Sequence, residues 1–254
     1  MARRRSASRH NIQTLKIFTY ALLLTVMLTA VFLVTVPDTN CAQGPGVQLA
    51  YEENFDDVKA VQQAWELDEP FWWVEVPESG NGILVGQTGG GWARYRQAWW
   101  CDGKFTFTFA VRFFYGILLA NFHVKGLERY IIRLATSDGK MYIELLKRLG
   151  RPPTYETSLQ AKSWDYRGGW FRVDILTEDG RIRVYVYDEK TLSYDPTRVA
   201  VSPLIYYTDP NPLPAGTVGL QTSTALDVLT RVEVNYVRII GSVCPCTTQT
   251  ATTT

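Results

Sequence analysis

The last third of this chain contains four runs in which apolar and polar residues alternate. Trp170 to Leu176 and Arg181 to Tyr187 form a pair, separated by the turn sequence Thr177-Glu178-Asp179-Gly180. Two further runs follow at 216–221 and 232–239. A period of two residues is typical of a β-strand with one buried face, because successive side chains point to opposite sides. The pattern therefore predicts paired strands that cover a core with one face.

Strand-like sequence patterns extend back to residue 47. Lys104 to Arg112 reads K-F-T-F-T-F-A-V-R and places its aromatic rings on one face. Ser137-Asp138-Gly139 predicts a hairpin turn between strands at 129–135 and 140–147. Val58 to Leu67, opened by Asp56-Asp57, is the one short helix that the pattern indicates. Roughly twelve to fourteen strands at even spacing predict an all-β fold, a two-sheet antiparallel jelly-roll sandwich over residues 47–241.

The closing strands also carry a sequence pattern of their own. The W-F-R-V-D-I-L and G-R-I-R-V-Y-V segments precede G-T-V-G-L at 216–220 and V-E-V-N-Y-V-R-I at 232–239. This combination resembles the concanavalin A-like lectin/glucanase superfamily, which includes laminin-G-like modules and bacterial glucanase-like domains. The resemblance covers roughly residues 47–240 and implies a concanavalin A-like sandwich whose first and last strands are neighbours. Its motifs build the fold and do not carry chemistry.

Retaining glucanases of that superfamily use an E-x-D-x-x-E strand, which points two glutamates into the cleft as nucleophile and acid. The nearest segment here, Glu66-Leu67-Asp68-Glu69-Pro70, has Phe71 in place of the second glutamate. No catalytic residue of the family is therefore carried over. Glu144 and Asp174 are weak catalytic candidates from separate strands, although each is more often a solvated outer-face residue. Whether the chain is an enzyme stays open, and the absent motif speaks against it.

Aromatic residues point to a different role. The chain has eight Trp and 14 Tyr, and sugar rings stack on indole and phenol faces while polar side chains bond their hydroxyls. Alternation in the 129–147 hairpin places Arg133 and Glu144 on one face and aliphatic residues on the other. The alternative is that most of the aromatic rings fill the core. The candidate ligand-binding residues are Trp99, Tyr130, Arg133, Tyr142 and Glu144.

Three functions follow from these observations. The first is a carbohydrate-binding or adhesive module, with a glycan or a cell-envelope polysaccharide as partner. The alternatives are a divergent glycoside hydrolase or lyase of glucanase-like type, and a structural envelope protein without a small ligand. The oligomeric state stays open.

The N-terminal segment predicts the location. Residues 1–16 carry five basic residues and no acid, and 17–36 form an uncharged apolar run, close to the ~20 residues that span a bilayer as a helix. Such a charge asymmetry keeps the N-terminus in the cytoplasm. We therefore predict a cytoplasmic segment at 1–16, a transmembrane anchor or signal helix at 17–36 and a linker at 37–46. The domain would lie outside the cell membrane, or be secreted if the signal is cleaved.

Charge and cysteines fit an exported domain. Without the five basic residues of 1–16, the 26 Lys and Arg become 21 against 25 Asp and Glu, a net charge of −4. This argues against a nucleic-acid partner, which requires a basic surface. An even number of cysteines in an exported chain favours disulfides over metal thiolates. Connectivity stays open among the disulfide candidates Cys41, Cys101, Cys244 and Cys246.

The sequence contains no strong cofactor-binding motif. Calcium is common in the superfamily, and Asp56-Asp57 or Asp209-Pro210-Asn211 could contribute carboxylates, but no D-x-D-x-D-G loop is present. We predict no cofactor and no metal. Residues 242–254 are rich in Cys and Thr, and Thr247 to Thr254 contains no apolar residue that could join a core. We therefore predict a disordered tail at 242–254.

Overall fold

The structure is a computed structural model of the 254-residue chain, and it describes residues 47–78, 80–150, 156–188, 202–223 and 229–243. Fifteen strands and one short helix are present in these ranges. In chain order they are β1 (Val47–Glu53), α1 (Val58–Ala64), β2 (Trp65–Leu67), β3 (Trp72–Glu75), β4 (Ile83–Gln87), β5 (Trp92–Tyr95), β6 (Trp100–Tyr115), β7 (Ile117–Lys125), β8 (Glu128–Ser137), β9 (Lys140–Arg148), β10 (Glu156–Asp165), β11 (Trp170–Glu178), β12 (Arg181–Asp188), β13 (Ile205–Thr208), β14 (Thr217–Thr222) and β15 (Arg231–Val243).

The strands form two antiparallel sheets. The larger sheet has the order β13-β12-β11-β6-β15-β4-β3, and β1 also pairs with β15. The smaller sheet has the order β10-β9-β8-β7-β14-β5-β2. The predicted two-sheet sandwich is thus confirmed. The first and last strands are neighbours, with Val47 opposite Val243, as the resemblance implied.

The core lies between the sheets and follows the alternation of the sequence. Phe105, Phe107, Phe109 and Val111 of β6 are all at most 1% exposed, as the K-F-T-F-T-F-A-V-R pattern predicts. Each buried Phe, Leu or Val side chain contributes about 1.5–3 kcal/mol relative to an exposed one. From the smaller sheet, the core receives Leu118, Phe122, Ile132, Leu134, Met141, Ile143 and Leu145.

Two tight hairpins set the register of the strands β8, β9, β11 and β12, which border the surfaces described in the next section. In the turn between β8 and β9, Asp138 and Gly139 have φ of 52° and 71°, and Asp179 and Gly180 between β11 and β12 have φ of 50° and 76°. Positive φ at both central residues is the type I′ geometry, whose twist matches that of the flanking strands. The hairpin turn predicted at Ser137-Asp138-Gly139 is therefore confirmed.

The predicted helix at 58–67 is right at its start and wrong at its end. Asp57 caps α1 by accepting hydrogen bonds from Lys59 N at 2.9 Å and Ala60 N at 3.2 Å. The helix ends at Ala64, because Trp65 and the next two residues pair with β5 instead. Burial of the Trp65 indole, which is 1% exposed, favours the strand over the local helical pattern.

Several predicted segments lie outside the described residues. These are 1–16, the apolar run 17–36 and the linker 37–46. Along the ranges that the structure describes, no helix has the length and apolarity to span a membrane. β15 continues to Val243, two residues past the predicted domain boundary, and the rest of the 242–254 tail lies outside the described residues.

Candidate functional site

A groove runs along the centre of the outer face of the larger sheet. Its floor is made by the short outward side chains of β6, which are Thr106, Thr108 and Ala110. The neighbouring strands carry longer side chains, so that two walls rise beside the floor and enclose about 590 Å³. The β11 wall has Trp170, Arg172, Asp174 and Leu176, and the β15 wall has Asn235, Tyr236, Arg238 and Ile240. We call this set of residues the β6 groove.

Strand register places the polar groups of the β6 groove in rows. Asp174 lies opposite Thr108, and Thr108 lies opposite Arg238. The row continues outward to Tyr185 on β12 and to Glu52 on β1. Because neighbouring strands are about 4.8 Å apart, a carboxylate and a guanidinium face each other across one floor hydroxyl.

Asp174 is the charged centre of the β11 wall. Its Oδ2 accepts a hydrogen bond from Arg172 at 3.0 Å, and the two side chains are 15% and 14% exposed. Burial raises the pKa of the Asp174 carboxyl, against the lowering effects of Arg172 and the Thr108 hydroxyl. Its other oxygen, Oδ1, is buried and finds no hydrogen-bond partner among the described residues.

The β15 wall also presents polar atoms with unmet hydrogen bonds. Asn235 lies at a register shift between Val234 and Tyr236, and its buried Oδ1 has no partner in the described part of the chain. The same holds for the Nε of Arg238, which forms only a long ion pair of 3.9 Å with Glu52. These atoms are buried beneath the groove surface, while the side chains of Asp174, Asn235 and Arg238 line the groove and supply both acceptors and donors. Such a lining suits a ligand that both donates and accepts, as a hydroxyl group does.

Aromatic rings lie along both walls. Burial, followed by the charge of Glu52, raises the pKa of Tyr236, so its phenol stays protonated and able to donate. Beyond the β11 wall, the rings of Tyr185 and Tyr187 are stacked at 6.4 Å, and Arg172 lies 4.7 Å over Tyr187. These rings are stacking surfaces next to hydrogen-bonding groups.

A stack of rings and guanidinium groups closes one end of the groove. Arg112 lies 5.0 Å from the Trp170 ring and 5.1 Å from the Phe114 ring. Glu233 forms an ion pair with Arg112 and holds it between the two rings. Phe114 is 50% exposed, so the stack ends in an accessible aromatic face.

Three of the sequence-predicted ligand residues lie together on the opposite side of the molecule. Arg133 and Glu144 face each other across β8 and β9 on the outer face of the smaller sheet and form an ion pair. Tyr142 is in the next row, 46% exposed, between the short side chains of Ala135 and Ser163. These residues border a shallow depression of about 730 Å³, which we call the β9 depression.

The other two predicted ligand residues are not part of that group. Tyr130 points into the core, where it is 2% exposed and donates a hydrogen bond to Asp209 Oδ2 at 2.6 Å. Trp99 precedes β6, is half-buried, and lines neither the β6 groove nor the β9 depression. The structure thus does not bring the five residues into one site.

The two weak catalytic candidates are also separated. Glu144 lies on the outer face of the smaller sheet and Asp174 on the outer face of the larger sheet. The core between the sheets keeps them from acting on one bond.

Sequence reasoning missed most of the β6 groove. Thr108, Arg172, Asn235, Tyr236 and Arg238 were not among the candidates. The signal that could have found the floor is the alternation of large aromatic and small side chains in F-T-F-T-F-A. A central strand with short outward residues leaves space that its neighbours enclose.

The aspartates considered for calcium have other partners. Asp56 Oδ1 accepts a hydrogen bond from Gly82 N at 2.6 Å, Asp57 caps α1, and Asp209 binds Lys147 Nζ at 2.7 Å. Within the described ranges, no three His, Cys, Asp or Glu side chains are grouped to hold a metal ion. Cys41, Cys244, Cys246 and the side chain of Cys101 lie outside the described residues, and disulfide pairing stays a prediction.

Comparisons with known proteins give a structural likeness without a sequence family. No protein-family model matches the chain, and no curated protein matches it. The exoplasmic/lumenal domain of VIP36, in its metal-free form, has a TM-score of 0.51 at 12% identity, over 76% of this chain and 91% of that one. A β-glucanase of Bacillus licheniformis has a TM-score of 0.49 at 12% identity, over 78% and 99% of the two chains.

The carbohydrate-binding module CBM66 from Bacillus subtilis has a TM-score of 0.44 at 12% identity, over 71% of this chain and 93% of that one. At 12% identity, the likeness to the VIP36 domain speaks for the fold alone. Together with the strand order and the two facing sheets, it shows the two-sheet jelly-roll fold that the resemblance to concanavalin A-like proteins implied.

Proposed function

We propose that this domain is a carbohydrate-binding module whose ligand occupies the β6 groove. The observation that carries the proposal is the row of polar groups across the groove, in which the Asp174 carboxylate and the Arg238 guanidinium lie on either side of the Thr108 hydroxyl. A vicinal diol can donate to the carboxylate and accept from the guanidinium.

The size and lining of the groove suit the same ligand. Its volume of about 590 Å³ falls within the ~300–1,000 Å³ of small-molecule sites, which combine apolar walls with a few placed polar groups. Trp170 and Tyr236 supply ring faces for stacking against the C–H faces of a sugar. The β6 groove therefore offers both kinds of contact that a carbohydrate uses.

The charges of the groove favour binding over hydrolysis. Glycosidases place two carboxyl groups about 5–9.5 Å apart across the scissile bond. Asp174 is the one carboxylate among the residues that line the groove. Glu52 lies three strand spacings away, about 14 Å across the sheet, and Glu233 is bound to Arg112 at the groove end.

A matched pair of variants tests the proposal. Asp174 and Glu144 are both carboxylates on a strand, each ion-paired to an arginine, on opposite outer faces. With a glycan selected on an array of neutral and acidic glycans, Asp174→Asn should weaken binding at least tenfold, about 1.4 kcal/mol, while Glu144→Gln leaves it unchanged. Titration calorimetry on the full chain gives both affinities.

The opposite result would place the ligand on the other outer face of the molecule. If Glu144→Gln removes binding and Asp174→Asn does not, the ligand lies on the β9 depression with Arg133 and Tyr142. If the chain binds no glycan on the array, the role as a structural envelope protein takes precedence.

We also infer that the domain is displayed outside the cell on an N-terminal tether. The support is the basic segment 1–16 followed by the apolar run 17–36, a charge asymmetry that orients membrane helices. A binding module exposed there would meet polysaccharides of the cell envelope.

A further inference from the structure

An arginine on the outer face of the smaller sheet is buried, and no counter-ion pairs with it in the part of the chain that the structure describes. Arg129, the second residue of β8, is 6% exposed. Its Nε is buried without a hydrogen-bond partner among the described residues. None of the ion pairs found in the described ranges includes its guanidinium. A buried charge is ordinarily paired, because desolvation without compensation is costly.

The groups around Arg129 add positive charge. Its guanidinium lies 5.0 Å from the Trp92 ring, and Arg94 lies 4.9 Å from the same ring. Arg148 is directly opposite Arg129 on β9. We call Trp92, Arg94, Arg129 and Arg148 the Arg129 patch.

The nearby carboxylates are already engaged. Glu66 pairs with Arg94 at 3.4 Å, and Glu156 pairs with Arg148 at 3.0 Å. Three guanidinium groups thus face two carboxylates, and Arg129 carries the excess charge.

The pKa of Arg129 also indicates an excess of positive charge in the patch. Burial, and next the charges of Arg148 and Arg94, lower the pKa of Arg129 to about 10, with Glu156 acting in the opposite direction. The group still carries its proton at neutral pH. Its charged form is destabilised by its surroundings, so an added negative charge would be stabilising. The Trp92 face offsets part of this through a cation–π contact.

We propose that the Arg129 patch is an anion site that takes one carboxylate, sulfate or phosphate group of a small or chain-borne ligand. Guanidinium matches the planar, multidentate geometry of such oxyanions. Only a small group reaches a side chain that is 6% exposed, which favours a free or pendant oxyanion over a membrane surface. The site is on the opposite face from the β6 groove and does not depend on the glycan proposal.

Thermal unfolding tests this site in the full chain, purified in a non-ionic detergent. Sodium phosphate, sodium sulfate and sodium glucuronate are each compared with sodium chloride at matched ionic strength. A ligand that binds only the folded state stabilises it by RT ln(1 + L/Kd), where L is the free ligand concentration, so Tm rises with the logarithm of the ligand concentration above Kd. The general salting-out effect of sulfate instead grows steadily with the salt concentration itself. We expect a logarithmic rise with at least one oxyanion.

Two variants separate the site from general charge effects. Arg129→Met keeps an unbranched apolar stem like that of arginine and removes the charge, and the logarithmic rise should be lost. Arg181→Met removes one exposed charge from the hairpin of the larger sheet and should keep the rise. Without oxyanion, Arg129→Met should unfold no earlier than the wild type, because it removes a buried unpaired charge.

Three outcomes would overturn the proposal. The first is an equal logarithmic rise of Tm in wild type and Arg129→Met. The second is a rise that requires phosphatidylglycerol in the detergent micelles and is absent with free anions. The third, which holds even if Arg129→Met does not fold, is the absence of any saturable heat when the three oxyanions are titrated into the wild type by calorimetry.

Discussion

At the scale of single residues, Asp209 holds the loop between β13 and β14 onto the smaller sheet. Its carboxylate accepts hydrogen bonds from Lys147 Nζ at 2.7 Å, Tyr130 Oη at 2.6 Å and Asn211 N at 2.9 Å. Burial acts to raise the pKa of Asp209, but these hydrogen bonds together lower it below its ordinary value. Tyr130, a candidate for ligand binding from the sequence, therefore has a structural partner.

Asp209 should make the stability of the domain pH-dependent. A depressed folded-state pKa stabilises the fold at pH values above the unfolded pKa of about 3.9, and the gain is lost as pH falls through the folded pKa. Asp209→Ala removes the counter-ion of Lys147, whose side chain is 12% exposed and still donates to Asn211 O. The variant should therefore cost roughly 1.5–3 kcal/mol at pH 7 and less at pH 3. Urea unfolding at the two pH values measures both differences.

The exposed Asp165 gives the control for this prediction. Asp165→Ala should change the free energy of unfolding by less than about 0.5 kcal/mol at pH 7. A cost of Asp209→Ala that is the same at pH 7 and pH 3 would contradict a role for its charge.

At the scale of elements, β6 determines both the core and the groove. Its inward face carries Phe105, Phe107 and Phe109 at the centre of the sandwich, while its outward face carries Thr106, Thr108 and Ala110. Long side chains on the flanking strands then enclose the space above the short ones. A single alternating strand thus provides hydrophobic stabilisation on one side and a binding surface on the other.

Filling the floor should remove binding and leave the fold intact. Thr108→Leu adds a branched apolar side chain between Asp174 and Arg238, so glycan affinity should fall at least tenfold. The melting temperature should fall only modestly, because the side chain points outward from the core and the variant removes one hydroxyl beside Asp174. Calorimetric titration with the glycan found on the array measures the affinity, and circular dichroism measures the unfolding.

Thr157 on the exposed edge strand β10 supplies the matched control. Thr157→Leu should bind with wild-type affinity. Unchanged binding by Thr108→Leu would mean that the ligand does not reach the floor of the β6 groove.

At the scale of the whole molecule, the two outer faces of the sandwich differ in chemistry. The larger sheet presents the β6 groove, with mixed donors, acceptors and rings. The smaller sheet presents the Arg129 patch and the β9 depression. Since the core separates the faces, a ligand on one face leaves the other accessible.

The proposed topology predicts which part of the chain a protease reaches. On intact cells, an added protease should degrade residues 43–254, because the proposed topology places the domain outside the membrane. Immunoblotting should show that the signal of the domain is lost while a cytoplasmic marker survives. Full protection of the domain in intact cells, with degradation after lysis, would contradict an outward-facing domain.

The sequence determined the architecture because burial of a strand is a local property. Period-two alternation assigns each side chain to the core or the outside, and Asp-Gly pairs fix the hairpins. The two-sheet fold, the core face of β6 and the turn at Asp138-Gly139 could all be predicted in this way. The helix end at Ala64 could not, since it depends on Trp65 pairing with a strand about 30 residues later.

Only the tertiary structure decided which polar side chains come together in a candidate site. Asp174, Thr108 and Arg238 are far apart in the chain and meet only because β11, β6 and β15 are neighbours in the larger sheet. Alternation shows that Asp174 and Glu144 both point outward, but it does not show that they belong to opposite faces of the molecule. Sheet order is set by the packing of the whole core, and no local pattern encodes it.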